Sequence, residues 1–357
     1  MTESLTAAEL TRVVNLEGFE ALARGRMTGP AFDYVAGGAW DEVTLEESVG
    51  AWRRHRFVPR VLRELRSIDV SGAFLRRRTA IPVAIAPMAA QSLAHANAEA
   101  EMLAGAAAAG IPFCLSTTSS MTLEDVATAA PDAERWFQLY VIGGMGYSRS
   151  LVERAEQAGY RALVLTVDLP VLGRRERDHR SGFELPALPH LDATEDVRDQ
   201  RYGAIENQWI EGLTWTSVGA IRTWTSMPFV LKGILSPEDA RVAAEAGVDA
   251  IVVSTHGGRQ LDRAIATADA LPGIVDAVAG RCEVWVDGGV RRGLDVVTAI
   301  ALGATGVLVG RPFYWALAAG GRAGVERAAA ILRDELELAL PLLGCASIAE
   351  VRRDLLA

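Results

Sequence analysis

Eight short apolar segments recur along the chain, and most are followed by an Ala-rich amphipathic segment. Each apolar segment is almost continuous in Val, Ile, Leu or Ala, which is typical of a parallel strand covered on both faces. Eight βα units in succession predict an α/β protein with a closed (β/α)8 TIM barrel, and a doubly wound open sheet is the alternative. The predicted strands are 82–87, 112–117, 135–140, 162–168, 228–233, 250–255, 283–288 and 306–311, and the predicted helices are 98–109, 148–158, 237–246, 267–279 and 293–302.

Three parts of the chain lie outside this repeat. Residues 1–80 are predicted to be an N-terminal extension that caps the barrel, beginning with a helical stretch at 4–26. The connection between strands 4 and 5, residues 173–227, is the longest, and long βα loops commonly cover barrel active sites. Residues 325–357 are predicted to be helices that close the fold. We therefore expect a single domain over 1–357.

The composition excludes several classes of function. A net charge of −9 and a pI of about 5.2 argue against nucleic-acid or anionic-lipid partners. The three cysteines form no CxxC pair, and His179 and His190 are predicted to lie in one polar loop, too far apart for a metal motif. No signal-peptide pattern and no apolar run of about 18 residues is visible, which excludes a membrane span. We expect a cytoplasmic protein without metal or disulfides.

Glycines and arginines follow the last two predicted strands, in DGGVR and GRP. Glycine allows backbone N–H groups to approach an anion, and arginine donates two parallel hydrogen bonds. Barrels commonly bind phosphate at this position. Lys232, the only lysine of the chain, ends strand 5. A buried lysine there could hold an electron-rich cofactor atom or form a Schiff base with a carbonyl substrate.

The segment STHGGRQLD follows strand 6. His256 titrates near neutral pH and can abstract a proton, and Arg259 can bind a carboxylate. Asp168, at the end of the neighbouring strand 4, could orient the imidazole. These residue types indicate oxidation or rearrangement of a small acid, and they do not identify the cofactor.

These motifs in combination resemble the family of FMN-dependent 2-hydroxy-acid oxidases and dehydrogenases. The resemblance runs from about residue 32 to residue 345, through FQLY, LTVDLPVLGRR, LKGI, STHGGRQLD and DGGVRRG. It implies FMN as cofactor and the oxidation of a small (S)-2-hydroxy acid to the 2-oxo acid. The implied electron acceptor is oxygen, a quinone or another carrier, and the implied assembly is a homotetramer.

The resemblance also implies residue roles. His256 is the expected catalytic base, supported by Asp168, while Tyr140 contacts the substrate hydroxyl. The substrate carboxylate would be held by Arg175, Arg259 and Tyr34. The residues expected to bind the isoalloxazine ring and ribityl chain are Pro87, Met88, Ala89, Ser116, Gln138, Thr166, Lys232 and Ser254. Those expected at the ribityl chain and phosphate are Asp287, Gly288, Gly289, Val290, Arg291, Gly310 and Arg311.

Three residues depart from the family pattern: Met88, Thr118 and Thr255. Thr118 replaces a tryptophan that faces the substrate in glycolate oxidases. The smaller side chain predicts a substrate larger than glycolate, of the mandelate type, unless the strand-4 loop or Met88 fills the space. Two other functions stay open at this point: an FMN-dependent maturase that acts on a peptide, and a lysine Schiff-base aldolase that uses Lys232.

Overall fold

The barrel strands close into a single ring. A computed structural model describes residues 5–191 and 213–357. Eight parallel strands form a closed barrel in which each strand pairs with the next along the chain and the last pairs with the first, which confirms the predicted (β/α)8 architecture. The barrel strands are β3 (Val83–Ile85), β4 (Phe113–Ser116), β5 (Arg135–Leu139), β6 (Leu163–Thr166), β7 (Phe229–Ile234), β8 (Ala250–Val253), β9 (Glu283–Asp287) and β10 (Gly306–Val309).

Every residue of β4, β5, β6, β8 and β10 is buried, because each strand packs against the barrel interior on one face and against helices on the other. This double burial explains the continuous apolar runs in the sequence. Side chains of Phe74, Trp136 and Trp285 fill the interior, and the two tryptophan rings stack 4.9 Å apart between centroids. The barrel is therefore packed, and a ligand site can form only at its rim.

The helices follow the strands largely as the sequence predicts, with differences at several helix ends and one helix that was not predicted. The described helices are α1 (Ala7–Leu10), α2 (Gly18–Arg24), α3 (Gly29–Ala36), α4 (Val43–Arg54), α5 (Ala98–Ala109), α6 (Leu123–Ala129), α7 (Gly144–Gln157), α8 (Glu176–Ser181), α9 (Trp215–Arg222), α10 (Pro237–Glu245), α11 (Thr267–Val278), α12 (Gly293–Ala301) and α13 (Arg311–Leu343). Helix α5 has the predicted bounds, and α10, α11 and α12 each end one residue earlier than predicted. Helix α6 was not predicted, and α7 begins before residue 148.

The predicted helical stretch over 4–26 is wrong as a continuous helix. Helices α1 and α2 are separated by a turn in which the Asn15 side chain accepts a hydrogen bond of 2.9 Å from the Gly18 amide. Asn competes in this way with helical hydrogen bonds. The C-terminal helix begins at residue 311 rather than 325, and its backbone departs from helical geometry at Gly320 and Gly321.

A short hairpin, β1 (Gly72–Phe74) and β2 (Arg77–Thr79), precedes the barrel and inserts Phe74 into it. The Phe74 ring meets Trp285 edge-on at 5.1 Å, and a side chain at Gly306 would collide with it at 2.4 Å. The hairpin therefore closes one end of the barrel and leaves the C-terminal ends of the strands as the site for ligands.

The connection after strand β6 contains α8 and α9, and residues 192–212 of the predicted loop lie outside the described residues. His190 in this connection is buried, so placing it in a polar loop was wrong. Across the described ranges, 5–191 and 213–357, no helix is both long enough and apolar enough to span a membrane.

Candidate active site

A cavity opens at the C-terminal ends of the barrel strands, and most of the predicted site residues line it. These are Tyr34, Pro87, Met88, Ala89, Ser116, Thr118, Tyr140, Thr166, Arg175, Lys232, His256, Arg259, Asp287, Gly288, Gly289, Val290, Arg291, Gly310 and Arg311. The other three stand directly behind that lining. Asp168 bonds to His256, Ser254 accepts a hydrogen bond from Lys232, and the Gln138 Oε1 accepts one from Ser116.

His256 is held between a carboxylate and a phenol. Its Nδ1 lies 3.0 Å from the Asp168 Oδ1, and its Nε2 lies 3.2 Å from the Tyr140 hydroxyl oxygen. A carboxylate at Nδ1 favours the tautomer with its proton on that nitrogen, which leaves the Nε2 lone pair directed toward Tyr140. The imidazole therefore has a fixed orientation and a basic nitrogen on the cavity side.

The backbone around His256 explains why glycines follow it. His256 itself has a φ of 56°, which is a strained conformation for a residue with a Cβ. Gly258 has a φ of 74°, and a Cβ there would lie 2.8 Å from the Leu45 Cα in helix α4. The turn thus needs glycine to pack against the N-terminal extension while it presents the imidazole.

Gly233 is a site residue that the sequence analysis missed. It follows Lys232 in strand β7 with a φ of 113°, and a Cβ there would lie 2.5 Å from the Asp168 Cβ. Asp168 can therefore occupy its place beside His256 only because residue 233 has no side chain. The LKGI motif contains this glycine, but the contact joins two strands and is not visible in the motif.

The electrostatics favour a neutral imidazole. Burial lowers the pKa of His256, the Asp168 carboxylate raises it, and nearby Lys232 and Arg175 lower it, so that its pKa lies below the ordinary value. Burial raises the pKa of Asp168, but His256 and Lys232 together lower it by more, so the pKa lies below its ordinary value. The pair is thus an ionised carboxylate and a neutral base near pH 7.

Lys232 forms a buried ion pair. Its Nζ lies 3.1 Å from the Asp287 carboxylate and donates a 2.8 Å hydrogen bond to Ser254. Burial lowers the pKa of Lys232, but Asp287 and Asp168 raise it above its ordinary value. The ammonium form is thereby favoured, and a protonated amine cannot attack a carbonyl to form a Schiff base. This geometry suits a fixed positive charge.

Two arginines tie the N-terminal extension to the cavity. Arg259 donates hydrogen bonds to the carbonyl oxygens of Tyr34 and Gly37. Arg311 donates to the carbonyls of Val35, Gly37 and Gly257 at 2.8–2.9 Å. The extension thus forms one wall of the cavity, with the Tyr34 side chain in its lining.

A second wall is apolar. Leu169, Leu172 and Leu185 from the connection after β6 line the cavity together with Met88 and Thr118. The Thr118 hydroxyl lies 2.8 Å from the Ser116 hydroxyl and is thereby partnered. The three leucines were not predicted as site residues, because nothing in the linear pattern indicates which leucines of a long connection face inward.

Several buried polar groups of the site fit a phosphorylated cofactor with carbonyl and hydroxyl groups. Among the described residues, Gln138 Nε2 and Asp287 Oδ1 are buried without a hydrogen-bond partner. The partly buried Arg291 guanidinium donates to the carbonyl of its own neighbour Val290, and no carboxylate of the described residues lies within ion-pair distance of it. A flavin ring, a ribityl chain and a phosphate would supply partners of these types.

Comparison with known proteins identifies the protein family and the class of enzyme. The model of the family described as FMN-dependent dehydrogenase matches residues 23–357. The chain belongs to this family. FMN is its cofactor, and it is an oxidoreductase that acts on the CH–OH group of 2-hydroxy acids. Membership excludes the lysine Schiff-base aldolase, in agreement with the protonated state of Lys232.

Similar proteins differ in the acid that their names record. The chain is 44% identical over 351 residues to an L-lactate oxidase of Nostoc sp., covering 95% of this chain and 96% of that protein. It is 44% identical over 348 residues to a 4-hydroxymandelate oxidase of Amycolatopsis orientalis, covering 95% and 97%. A solved mandelate oxidase with (S)-4-hydroxymandelic acid has a TM-score of 0.90 at 44% identity, covering 96% of this chain and 98% of that one.

Proposed function

We propose that the protein oxidises an (S)-2-hydroxy acid with a side chain larger than that of glycolate, of the mandelate type, to the 2-oxo acid. The observation that carries the proposal is the asymmetry of the cavity. One side presents His256 and Tyr140, and the other presents Thr118 with three leucines. A hydroxy acid with an apolar side chain is complementary to both.

The proposed roles of the chain's residues follow from their positions. FMN, when bound, would supply the acceptor for the two electrons that the acid loses. His256 Nε2 takes a proton from the substrate, and Asp168 stabilises the imidazolium that results. Tyr140 keeps its proton, because burial and Asp168 raise its pKa, and it donates a hydrogen bond to the substrate hydroxyl. Lys232 holds a fixed positive charge in the cavity lining, which would stabilise negative charge on the reduced flavin.

The substrate carboxylate is proposed to lie between Arg175, Arg259 and Tyr34. Two guanidinium groups at one place favour a carboxylate by charge-assisted hydrogen bonds. The Arg259 guanidinium also lies over the Tyr34 ring, 4.8 Å from its centroid, which holds the two groups side by side. The carboxylate end would thus be fixed, and the side chain would extend toward the apolar wall.

The side-chain preference rests on Thr118 and the leucine wall. Burial of apolar surface stabilises by roughly 25 cal/mol per Å², so a phenyl ring in this space gains over the hydrogen of glycolate. The electron acceptor is proposed to be dioxygen, as the names of the similar oxidases suggest. A quinone or another carrier is the alternative.

The test is anaerobic bleaching of the flavin by glycolate, lactate and mandelate, followed by admission of air. We expect mandelate to give the highest kcat/KM and the colour to return promptly in air. A preference for glycolate would contradict the side-chain proposal. Slow return of colour would instead indicate a carrier, and no bleaching by any free acid would favour a peptide substrate.

Two substitutions at one position separate volume from polarity. Thr118→Trp fills the proposed space and should lower mandelate turnover more than lactate turnover. Thr118→Val keeps the volume and removes only the hydroxyl bond to Ser116, so it serves as the matched control. Equal losses on both acids in Thr118→Trp would remove Thr118 from the side-chain pocket.

A further inference from the structure

His190 is a buried residue with two backbone partners near the cavity. It lies in the connection after β6, and only 1% of the residue's surface is exposed. Its Nε2 lies 3.3 Å from the Leu123 amide, which can only donate, and its Nδ1 lies 3.1 Å from the Thr117 carbonyl oxygen, which can only accept. These two groups define one neutral tautomer, with the proton on Nδ1.

The two partners bracket the loop that carries Thr118. Thr117 follows strand β4, and Leu123 is the first residue of helix α6, where the amide has no partner within the helix. The His190 ring thus joins both ends of the segment 117–123. The Ser119 hydroxyl lies 3.5 Å from Nδ1 inside the same segment.

The backbone of His190 is fixed as well. The Tyr147 hydroxyl of helix α7 donates a 2.7 Å hydrogen bond to its carbonyl oxygen. On either side of it, Leu188 and Leu191 pack in one apolar cluster with Tyr140 and Leu169, which line the cavity. The ring therefore connects the apolar wall to the loop that carries Thr118.

We propose that His190 is a positioning residue for the substrate side chain, which holds the Thr118 loop and the turn at 188–191 together as the wall of the side-chain pocket. This inference rests on the proposed function of that pocket. His190 is not in the cavity lining and takes no part in proton transfer. Its loss should loosen the pocket and leave His256, Asp168 and Tyr140 in place.

The neutral state that this geometry requires is favoured by the surroundings. Burial lowers the pKa of His190, the bond to Thr117 raises it, Arg154 lowers it and Glu124 raises it, with a net lowering. Arg154 and Glu124 pair with each other at 2.8 Å, so their opposite effects on the ring partly cancel. Protonation would place a second N–H against the Leu123 amide. The paired hydrogen bonds of His190 to Leu123 and Thr117 are therefore present above this lowered pKa, and the bond to Leu123 is lost as pH falls through it.

The kinetic test uses two variants and one control in the FMN-loaded enzyme. His190→Phe keeps a buried planar ring and removes both hydrogen bonds, and His190→Asn keeps a donor in reach of Thr117. His179→Asn changes an exposed histidine of the same connection. We expect His190→Phe to lower the ratio of kcat/KM for mandelate to that for lactate by about tenfold. His190→Asn should lower it less, and the control should not change it.

The rate of flavin reduction at saturating lactate should stay within about threefold of the wild type in both variants, because general-base catalysis by His256 is untouched. A ratio within twofold of the wild type in His190→Phe would overturn the proposal, even if the variant were less stable. If no 2-hydroxy acid reduced the wild-type flavin, the proposed function would fail, and the side-chain role proposed for His190 would fail with it.

The tautomer can be measured without any substrate or variant activity. In ¹⁵N-histidine-labelled wild-type protein, long-range proton–nitrogen spectra distinguish the two neutral tautomers, and the signal absent from His190→Asn identifies residue 190. We expect a neutral ring with its proton on Nδ1 at pH 7. A proton on Nε2, or a charged ring at that pH, would overturn the proposed pair of hydrogen bonds whatever the activity of the variants.

Discussion

The two ends of the cavity differ in whether their charged side chains already have protein partners. At the reaction end, Asp168, His256 and Tyr140 form a chain of hydrogen bonds at 3.0 and 3.2 Å before any ligand is considered. At the anion end, Arg291 lines the cavity beside Gly288 and Gly289 and is only partly buried, and no acidic side chain of the described residues forms an ion pair with it.

Burying a charge is costly unless a partner offsets it. Where protein partners do so, as around His256, the result is orientation, which a proton-transfer group needs. Around Arg291 the carboxylates of Glu20, Asp295 and Glu17 act only from beyond ion-pair distance, so an anionic ligand can still form the close ion pair. The neighbouring Arg292 makes the contrast clear, because it is also partly exposed but pairs with Glu335 at 2.8 Å. Substitutions at the two ends should therefore affect different quantities.

The largest expected effect is at the reaction end. His256→Ala should slow reduction of the flavin by substrate about 10²–10⁴-fold, because the proton acceptor is lost. The amount of FMN that co-purifies should not change, since His256 belongs to the reaction end. Stopped-flow reduction rates and the flavin-to-protein ratio check both statements. Reduction within a few-fold of the wild-type rate would show that His256 is not the base.

Gly233→Ala should damage the same end indirectly. A methyl group at residue 233 must displace Asp168, and small misplacements of this kind can cost about 10²-fold in rate. Gly247→Ala is the matched control: its φ of 74° is also positive, but a Cβ there has nothing within 4 Å. If both variants lost activity equally, backbone strain rather than the Asp168 contact would be responsible.

Arg291→Ala should change cofactor affinity. Loss of charge-assisted hydrogen bonds to an anion typically costs about 1.5–3 kcal/mol, so the Kd of FMN should rise about ten- to hundredfold. At saturating FMN the reduction rate should be near that of the wild type. Titration of the apoprotein with FMN measures this, and Arg292→Ala serves as control. Similar Kd values for the two variants would contradict the contrast between the two ends.

The fold could be predicted because its main signal is local. Strands buried on both faces leave continuous apolar runs, and eight of them leave few alternatives. The hairpin at 72–79 was missed because its second strand, RRT, is charged and its stability comes from Phe74 inside the barrel. The break at Asn15 was missed because a side chain competed with a helical pattern.

The site, too, could be predicted only where the signal is local. His256 and Lys232 could be placed in it because they follow strands, and strand ends of a barrel converge. Gly233, Leu185 and His190 could not, since their parts depend on distances between segments that are far apart in the chain. The bond between His190 and Thr117 joins residues 73 positions apart, and no pattern in a single sequence records such a contact.

The smallest expected effect is a displacement of the pH profile, and it compares the contributions of burial and charge at the reaction end. Burial lowers the pKa of His256 and Asp168 opposes that lowering, with a net pKa below the ordinary value of about 6.5. The base is active when neutral, so the reduction rate at saturating substrate should be constant above this pKa and fall as pH drops through it. An acid limb centred above about 6.5 would contradict the direction.

Asp168→Asn sharpens this measurement. Removing the carboxylate removes the main contribution that raises the pKa of His256, so the acid limb should move to still lower pH. The plateau rate should fall as well, because the amide stabilises the imidazolium less. The two changes affect activity in opposite directions. A weaker base is neutral, and so active, over a wider pH range, but it reacts more slowly throughout that range. Measuring reduction at saturating substrate separates this limb from the titration of His190, which we expect to act on affinity. A limb that moved to higher pH in Asp168→Asn would mean that the carboxylate does not stabilise the protonated imidazole. The role proposed for Asp168 beside His256 would then be wrong.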